Sequence, residues 1–389
     1  MEFNLPNIIV IIAAAQGLLL AILIIQKHRA LFANRYLALL MLSYTGILIH
    51  LLLQDTGIYV SLPYFFLISG LSLAALPFHF LYTKHLVRRS QRFDSNELFH
   101  FIPFGIYEII LIVVIYTSQS DLSLVGVVSA TDTPPILRLY NVAVIVQGMA
   151  YLGLSTRMIN RFNLHIKDVV SSVEKIQLIW LRNITFTGFA AISVFLIEDL
   201  FLMNGINLSN FIFSSVGFAL YVYGMGYGGL LKSEIFADPV VEKTMQAVEE
   251  IEHTIEEESA VKYERSGLTD ETAEQHLRAL LRLMEQKKIY RNSALTLTEL
   301  SAELSVSPHN LSEVINTKLR KNFYDFVNGY RLDEVKKDLA DPSKQHLKIL
   351  SLAFDAGFNS KATFNTLFKE QTGTTPSEYR KTVLVSPAS

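Results

Sequence analysis

Apolar positions run through the first 231 residues without the polar interruptions that a water-facing helix needs. Seven stretches stand out, near 5–26, 36–53, 62–84, 99–117, 139–157, 183–203 and 211–231. Each is about as long as a helix must be to cross a hydrocarbon core of roughly 30 Å. Further along, the pattern changes to apolar residues recurring every three to four positions, the spacing of a helix with one buried face. Leu297, Leu300 and Leu304 share such a face, as do Leu311, Val314 and Ile315, and then Phe364, Leu367 and Phe368. The predicted chain is all-α: a polytopic seven-helix transmembrane bundle over 1–231, a helical linker over 232–290, and a region of short helices over 291–389.

The short helices carry their own boundary signals. Thr296 followed three residues later by Glu299 reads as a capping box, in which two amides at the helix start are satisfied reciprocally. The helix breaks at Ser305-Val306, and Ser307 with Pro308 restarts it, a cap and a first-turn proline in the order a helix start favours. His309, Ser312, Glu313 and Asn316 then fall away from the apolar stripe. The same arrangement recurs from Ile349 to Lys369: Gly357 supplies the turn, Ser360 caps the next helix, and Lys361, Thr363 and Thr366 point outward. Two helix-turn-helix patterns therefore follow one another.

Residues 291–383 resemble the DNA-binding domain of the AraC/XylS family of bacterial transcription regulators. Ala356-Gly-Phe-Asn-Ser, Phe364, Phe368-Lys369 and Gly373-Thr-Thr-Pro-Ser-Glu-Tyr-Arg380 carry the resemblance, in matching order and spacing. It implies that the stretch from Phe323 to about Leu339, with Phe326, Val327, Tyr330, Val335 and Leu339 at helical spacing, is a long helix between two readers. Each reader would enter its own major-groove segment of double-stranded DNA. On this reading His309, Ser312, Glu313, Lys361, Thr363 and Thr366 contact bases, while Lys318, Arg320, Lys321, Arg380 and Lys381 contact phosphates. The sequence departs from the family pattern at Ser305, where glycine is frequent, and at Glu313 and Thr366, where several members carry arginine. Arg favours guanine whereas Glu accepts only from a donor such as cytosine N4, so the family's base preference does not transfer.

Charge sets the orientation. Twelve lysines and arginines lie in the first, third and fifth connections between apolar stretches, none in the second and sixth, and Arg138 alone in the fourth. The positive-inside rule then puts the amino terminus outside and the carboxyl terminus in the cytoplasm, facing the chromosome across the bacterial inner membrane. No lysine or arginine precedes the first stretch, so it reads as a retained span rather than a cleaved signal. From Arg291 onward thirteen cations stand against eleven acids, an excess too small to indicate nucleic acid without the motifs.

Residues 232–290 are acidic, with eight cations against fourteen acids. Val241, Met245, Val248, Ile251 and Ile255 form an apolar stripe over 235–258 that fits either a homodimer helix or packing against the same chain. A second helix starts at Thr269-Asp-Glu and turns Leu277, Leu280, Leu281 and Met284 to one side. Within the spans, Glu108, Glu198, Asp199 and His50 are ionisable groups where such groups are costly, which makes them candidates for a site taking a small-molecule or membrane signal. Hydrogen bonding between helices is the alternative.

The ten histidines lack metal-ligand spacing, there is no cysteine, and HExxH, GxSxG and GxxxxGK[ST] are absent. Neither a cofactor nor an enzymatic activity is expected. The glycine run Gly224-Met-Gly-Tyr-Gly-Gly lies in an apolar helix, where small residues favour close helix packing over nucleotide binding. The sequence therefore predicts a membrane-embedded one-component transcription regulator, with 235–258 as the transmitting helix. Its rivals are a membrane receptor or transporter whose cytoplasmic domain binds a protein, and a regulator for which the spans are only an anchor.

Overall fold

The structure, a computed structural model, describes residues 5–27, 31–55, 63–89, 91–117, 135–174, 176–204, 206, 212–236 and 268–385. Among these residues the regular structure is helical, and the only bridge of β type joins Val170 to Thr296. The chain divides into two compact units. One comprises Met1–Phe162 and Leu178–Glu234, the other Asn163–Gln177 and Ile235–Ser389.

The first unit contains α1 (Leu5–Lys27), α2 (Ala33–Asp55), α3 (Leu71–Arg88, preceded by a 3-10 segment Pro63–Gly70), α4 (Ile102–Thr117, preceded by a 3-10 segment Ser95–Phe101), α5 (Pro135–Val169, whose residues from Asn163 onward belong to the second unit), α6 (Ile179–Met203) and α7 (Ile212–Phe236). All seven apolar stretches of the sequence thus lie in helices. Among the described residues five helical spans, Asn7–Gln26, Ala33–Leu53, Ser95–Thr117, Leu139–Val169 and Ile179–Phe201, are long and apolar enough to cross a membrane. The third and seventh stretches are not among these five, and each includes positions outside the described residues. The third changes helix type at Gly70, leaving an 18-residue α3 that ends in Lys84, His85 and Arg88. The seventh is diluted by five glycines and three tyrosines between 212 and 231.

Gly226, Gly228 and Gly229 of this run seat neighbouring side chains, while a Cβ on Gly217 or Gly224 would meet nothing within 4 Å. A Cβ on Gly226 would come within 2.6 Å of Leu20 and 2.9 Å of Met41 Sδ, and one on Gly229 within 2.3 Å of Leu37. Close approach without a side chain is what the packing reading of this run requires.

In the second unit α8 (Asp270–Lys287) is capped by Thr269, whose hydroxyl accepts from the Thr272 amide, and buries Ala273, Leu280 and Met284. Leu277 and Leu281, expected on that face, are half-buried at its margins. Next come α9 (Leu297–Leu304), α10 (Pro308–Lys318), α11 (Phe323–Ala340), α12 (Ile349–Asp355), α13 (Lys361–Thr372) and α14 (Pro376–Val385). The expected central helix is α11; it buries Phe326, Val327, Val335 and Leu339, while Tyr330 is half-buried and stacks on Tyr290 at 5.6 Å. Its second half packs with Leu352, Ala353, Phe364 and Phe368 of the later helices in one core. The linker stripe from Val241 to Ile255 lies outside the described residues.

Candidate DNA interface

The first helix-turn-helix is α9 and α10. Thr296 Oγ1 accepts from the Glu299 amide and Glu299 Oε2 accepts from the Thr296 amide, both at 3.2 Å, so the capping box is formed. Ser305 ends α9 in the left-handed region at φ 56°, the turn position where the sequence lacks a glycine. A non-glycine residue there costs about 1–2 kcal/mol. Ser307 caps α10 by accepting from the Asn310 amide at 3.2 Å, with Pro308 at the first helical position. Leu311, Val314 and Ile315 are buried as the stripe requires.

The second unit is α12 and α13. Gly357 takes φ 103°, and a Cβ there would meet the Tyr290 carbonyl at 2.5 Å and Arg291 Cα at 2.9 Å. The glycine is therefore needed both for its backbone angle and for close approach to another segment. Ser360 caps α13 by accepting from the Thr363 amide at 3.3 Å, and Phe364 and Phe368 turn inward.

On α13, Lys361, Asn365, Thr366 and Lys369 are exposed, whereas Thr363 is half-buried. On α10, Asn316 and Thr317 are exposed, while His309, Ser312 and Glu313 are half-buried. Their partners are local. His309 Nε2 lies 4.0 Å from Glu313 Oε2, and Asn316 Nδ2 donates to Ser312 Oγ at 3.3 Å. Lys318 is engaged by the lead-in helix: its ammonium lies 2.5 Å from Asp270 Oδ1 and 3.2 Å from Glu274 Oε1. The hydrogen bond to Asp270 raises its pKa, keeping it charged.

Arg320, itself left-handed at φ 53°, and Lys321 and Lys381 are exposed cations. Arg380 is half-buried and its Nη1 donates to the Leu347 carbonyl at 2.9 Å, tying α14 to the segment ahead of α12. Of the expected phosphate contacts, Lys318 and Arg380 thus have partners inside the fold. Sequence reasoning passed over Asn365 and Lys369 as reading-face residues, although their helical offsets from Lys361 and Thr366 place them beside those two.

Comparison with known proteins finds a helix-turn-helix domain in the same region. Residues 300–382 match the helix-turn-helix domain family. An uncharacterized HTH-type transcriptional regulator of Staphylococcus aureus strain COL is 32% identical to this chain over 93 residues, covering 24% of the chain and 12% of that protein. Regulators of the same description from strains MSSA476 and N315 match with the same identity and coverage. The chain thus spans about an eighth of the length of these relatives. No solved structure matches.

The helix-turn-helix domain has a firm internal frame. Arg331 on α11 is wholly buried and all its donors are used. Nε donates to the Tyr290 carbonyl at 2.8 Å, Nη1 to the Ser171 carbonyl and Asn328 Oδ1 at 3.0 Å each, and Nη2 to Ser171 Oγ at 3.0 Å and the Asn292 carbonyl at 2.8 Å. Burial pulls its pKa down to about 10, so it stays protonated at neutral pH. Neither Arg331 nor Ser171 was singled out from the sequence: an arginine between Tyr330 and Leu332 reads there as one more polar position.

The candidate signal residues lie in the first unit. Glu108 on α4 presses against Gly70, where a Cβ would come within 1.9 Å of its Oε1, and that oxygen has no hydrogen-bond partner. Asp199 on α6 is buried and accepts from Asn141 Nδ2 at 2.8 Å; its neighbour Glu198 is buried as well. His50 is half-buried near the end of α2. Beside Asn141, Tyr140 stacks on Tyr107 at 4.4 Å and donates to the Ser69 carbonyl at 2.6 Å. Glu108 follows Tyr107 of this pair in the chain, and Asp199 is bonded to Asn141, which follows Tyr140.

Proposed function

We propose that the chain is a one-component transcription regulator of the bacterial inner membrane that binds promoter DNA through two helix-turn-helix units. The observation that carries the reading is the pair of capped recognition helices, α10 and α13, anchored to one central helix and leaving Asn316, Lys361, Asn365 and Thr366 open to solvent. A surface built for a protein partner would need an apolar patch here, and these side chains are polar. His309, Ser312, Glu313, Lys361, Thr363 and Thr366 are assigned to base edges, and Arg320, Lys321 and Lys381 to phosphates. Lys318 and Arg380 are reassigned to holding the domain together.

Chain parity supports the orientation derived from charge. Residues 163–177 belong to the same compact unit as the DNA reader, so both lie on one side of the bilayer. Between them run α6 and α7, which must therefore both cross or both stay out. Because α6 is apolar enough to cross, α7 crosses with it despite its glycines and tyrosines. The cation-rich first, third and fifth connections likewise require α2 with α3, and α4 with α5, to cross in pairs. Seven crossings follow, with the reader in the cytoplasm. An extracytoplasmic or membrane signal, taken up near Glu108, Glu198, Asp199 or His50, then alters the bundle, and a second copy pairs through 235–258.

Genome-wide mapping of bound DNA with the full chain tests this reading. Recovery of a common sequence motif in wild-type cells, lost on replacing Lys361 and Thr366 together by alanine, is the expected result. Recovery of no motif, together with capture of a defined protein that depends on the same two residues, would favour the receptor alternative.

A further inference from the structure

The fifth connection between apolar helices ends up inside the DNA reader. Val170 bridges to Thr296, the residue that caps α9. The Ser171 amide donates to the Leu295 carbonyl at 3.1 Å, its hydroxyl donates to the same carbonyl at 2.8 Å, and Ser172 Oγ donates to the Ser293 carbonyl at 2.7 Å. Arg331 supplies bonds to both Ser171 oxygens, and Asn328 Nδ2 gives the carbonyl a second donor at 3.2 Å. One turn before, the Lys167 ammonium lies over the Tyr324 ring at 5.6 Å. Val170, Ser171 and Val173 are buried.

Every polar group of Ser171 is therefore held, by a short extended segment added to another part of the fold through main-chain and side-chain hydrogen bonds together. The segment follows directly on α5, which ends at Val169, and α6 begins at Ile179. Its partners lie on α11, which carries both helix-turn-helix pairs, and at the start of α9, so it fixes the central helix to the first helix-turn-helix. Withdrawing it would strip two of the bonds that satisfy a buried guanidinium, a costly state for a charge with no water to replace them. With the segment seated, the outward residues of α10 and α13 remain exposed.

We propose that residues 170–173 are a docking strand through which the helices α5 and α6 control their own reader, seated in the DNA-competent form and released in the impaired one. The proposal rests on the regulator reading and supplies its means of regulation. A ligand that favours one arrangement of α5 and α6 shifts the strand between two states by its difference in affinity for them. Coupling then runs through a loop between spans, in addition to the covalent link after α7.

The chain has no cysteine, so an introduced pair is the only one that forms a disulfide within it. The full chain in native membranes, carrying S172C and S293C and a protease site inserted between 237 and 267, is oxidised and cut. A single band without reductant and two bands with it are expected, while a control pair, S172C with the exposed Ser343 (S343C), gives two bands throughout. Two bands without reductant from the S172C/S293C chain, as from the control pair, overturn the proposal. Replacing 170–173 by four glycines in the full chain should weaken binding to the recovered DNA roughly tenfold, the size of one charge-assisted hydrogen bond, and the oxidised S172C/S293C chain should bind as wild type. A locked chain that loses DNA, or a glycine chain that binds and resists protease like wild type, also overturns it. If the glycine chain fails to accumulate, S171A, lacking only the hydroxyl, is compared instead under the same two criteria. If the wild-type chain recovers no specific DNA, the regulator reading fails, and the cross-link still decides by itself whether the strand is seated.

Discussion

The Glu334 carboxylate accepts from Arg291, through both Nε and Nη2, and from Lys288 Nζ at 2.9 Å, tying the central helix to the segment that precedes the first helix-turn-helix. Burial pushes the Glu334 pKa up, but the hydrogen bonds from Arg291 and Lys288 outweigh it and hold the group at about 2. Its folded pKa is thus below that of the unfolded chain, about 4.3 for a free glutamate. The stability it contributes is complete above that value and is lost as pH falls toward 2. Hydrogen exchange of the 290–340 amides, followed from pH 5 to pH 2.5, is expected to show progressive loss of protection, and Glu334→Gln is expected to flatten that slope. An unchanged slope would remove Glu334 as its source.

Gly357→Ala puts a methyl group against the Tyr290 carbonyl at a backbone angle that side chains avoid. A loss of about 2 kcal/mol or more in stability of the DNA-binding unit is expected, read from denaturant unfolding followed by tyrosine fluorescence. A loss under about 0.5 kcal/mol, the scale of an ordinary surface change, would mean that the turn relaxes.

Base and phosphate roles separate by salt. Lys361→Ala or Thr366→Ala is expected to cost roughly 1–3 kcal/mol on the specific duplex and little on random DNA. Lys321→Ala is expected to weaken both alike and to reduce the salt slope by about one. Equal losses on both duplexes for all three would erase the division.

Orientation is checked with a reporter enzyme active only in the periplasm. Fused after Lys232 it should be silent, and placed within 204–210 it should be active. The opposite pattern would put the reader on the wrong side of the membrane for chromosomal DNA.

Neutral isosteres probe sensing. Glu108→Gln, Glu198→Gln and Asp199→Asn are expected to remove the transcriptional response of the full chain while its membrane level and DNA occupancy persist. A response that survives all three at normal protein level would assign these carboxylates to packing, as the Asn141 contact of Asp199 already does in part.

Local chemistry made the reader legible. The reciprocal cap of Thr296 and Glu299, the caps at Ser307 and Ser360 and the turn at Gly357 involve residues within a few positions of one another, and all form as the sequence indicates. Even the missing glycine at Ser305 was readable as a left-handed turn. What escaped were contacts whose partners are far apart in the chain. Lys318 reads as a phosphate ligand, and its bond to Asp270, 48 residues earlier, has no local signal. Ser171 lies 160 positions from Arg331, and nothing in the periodicity of either stretch foreshadows their pairing. The seven apolar stretches were visible as hydrophobicity, but the change of helix type at Gly70 within the third was not.

The compact unit that holds the helix-turn-helix pair is assembled from two separated stretches of chain, 163–177 and 235–389. It is therefore not an interchangeable cassette. A chimera joined within 237–267 would carry off the helices and leave behind Ser171, whose carbonyl and hydroxyl satisfy Arg331. Exchange between such proteins has to move the fifth connection together with the carboxyl-terminal region, so the two stretches are constrained to change as a pair.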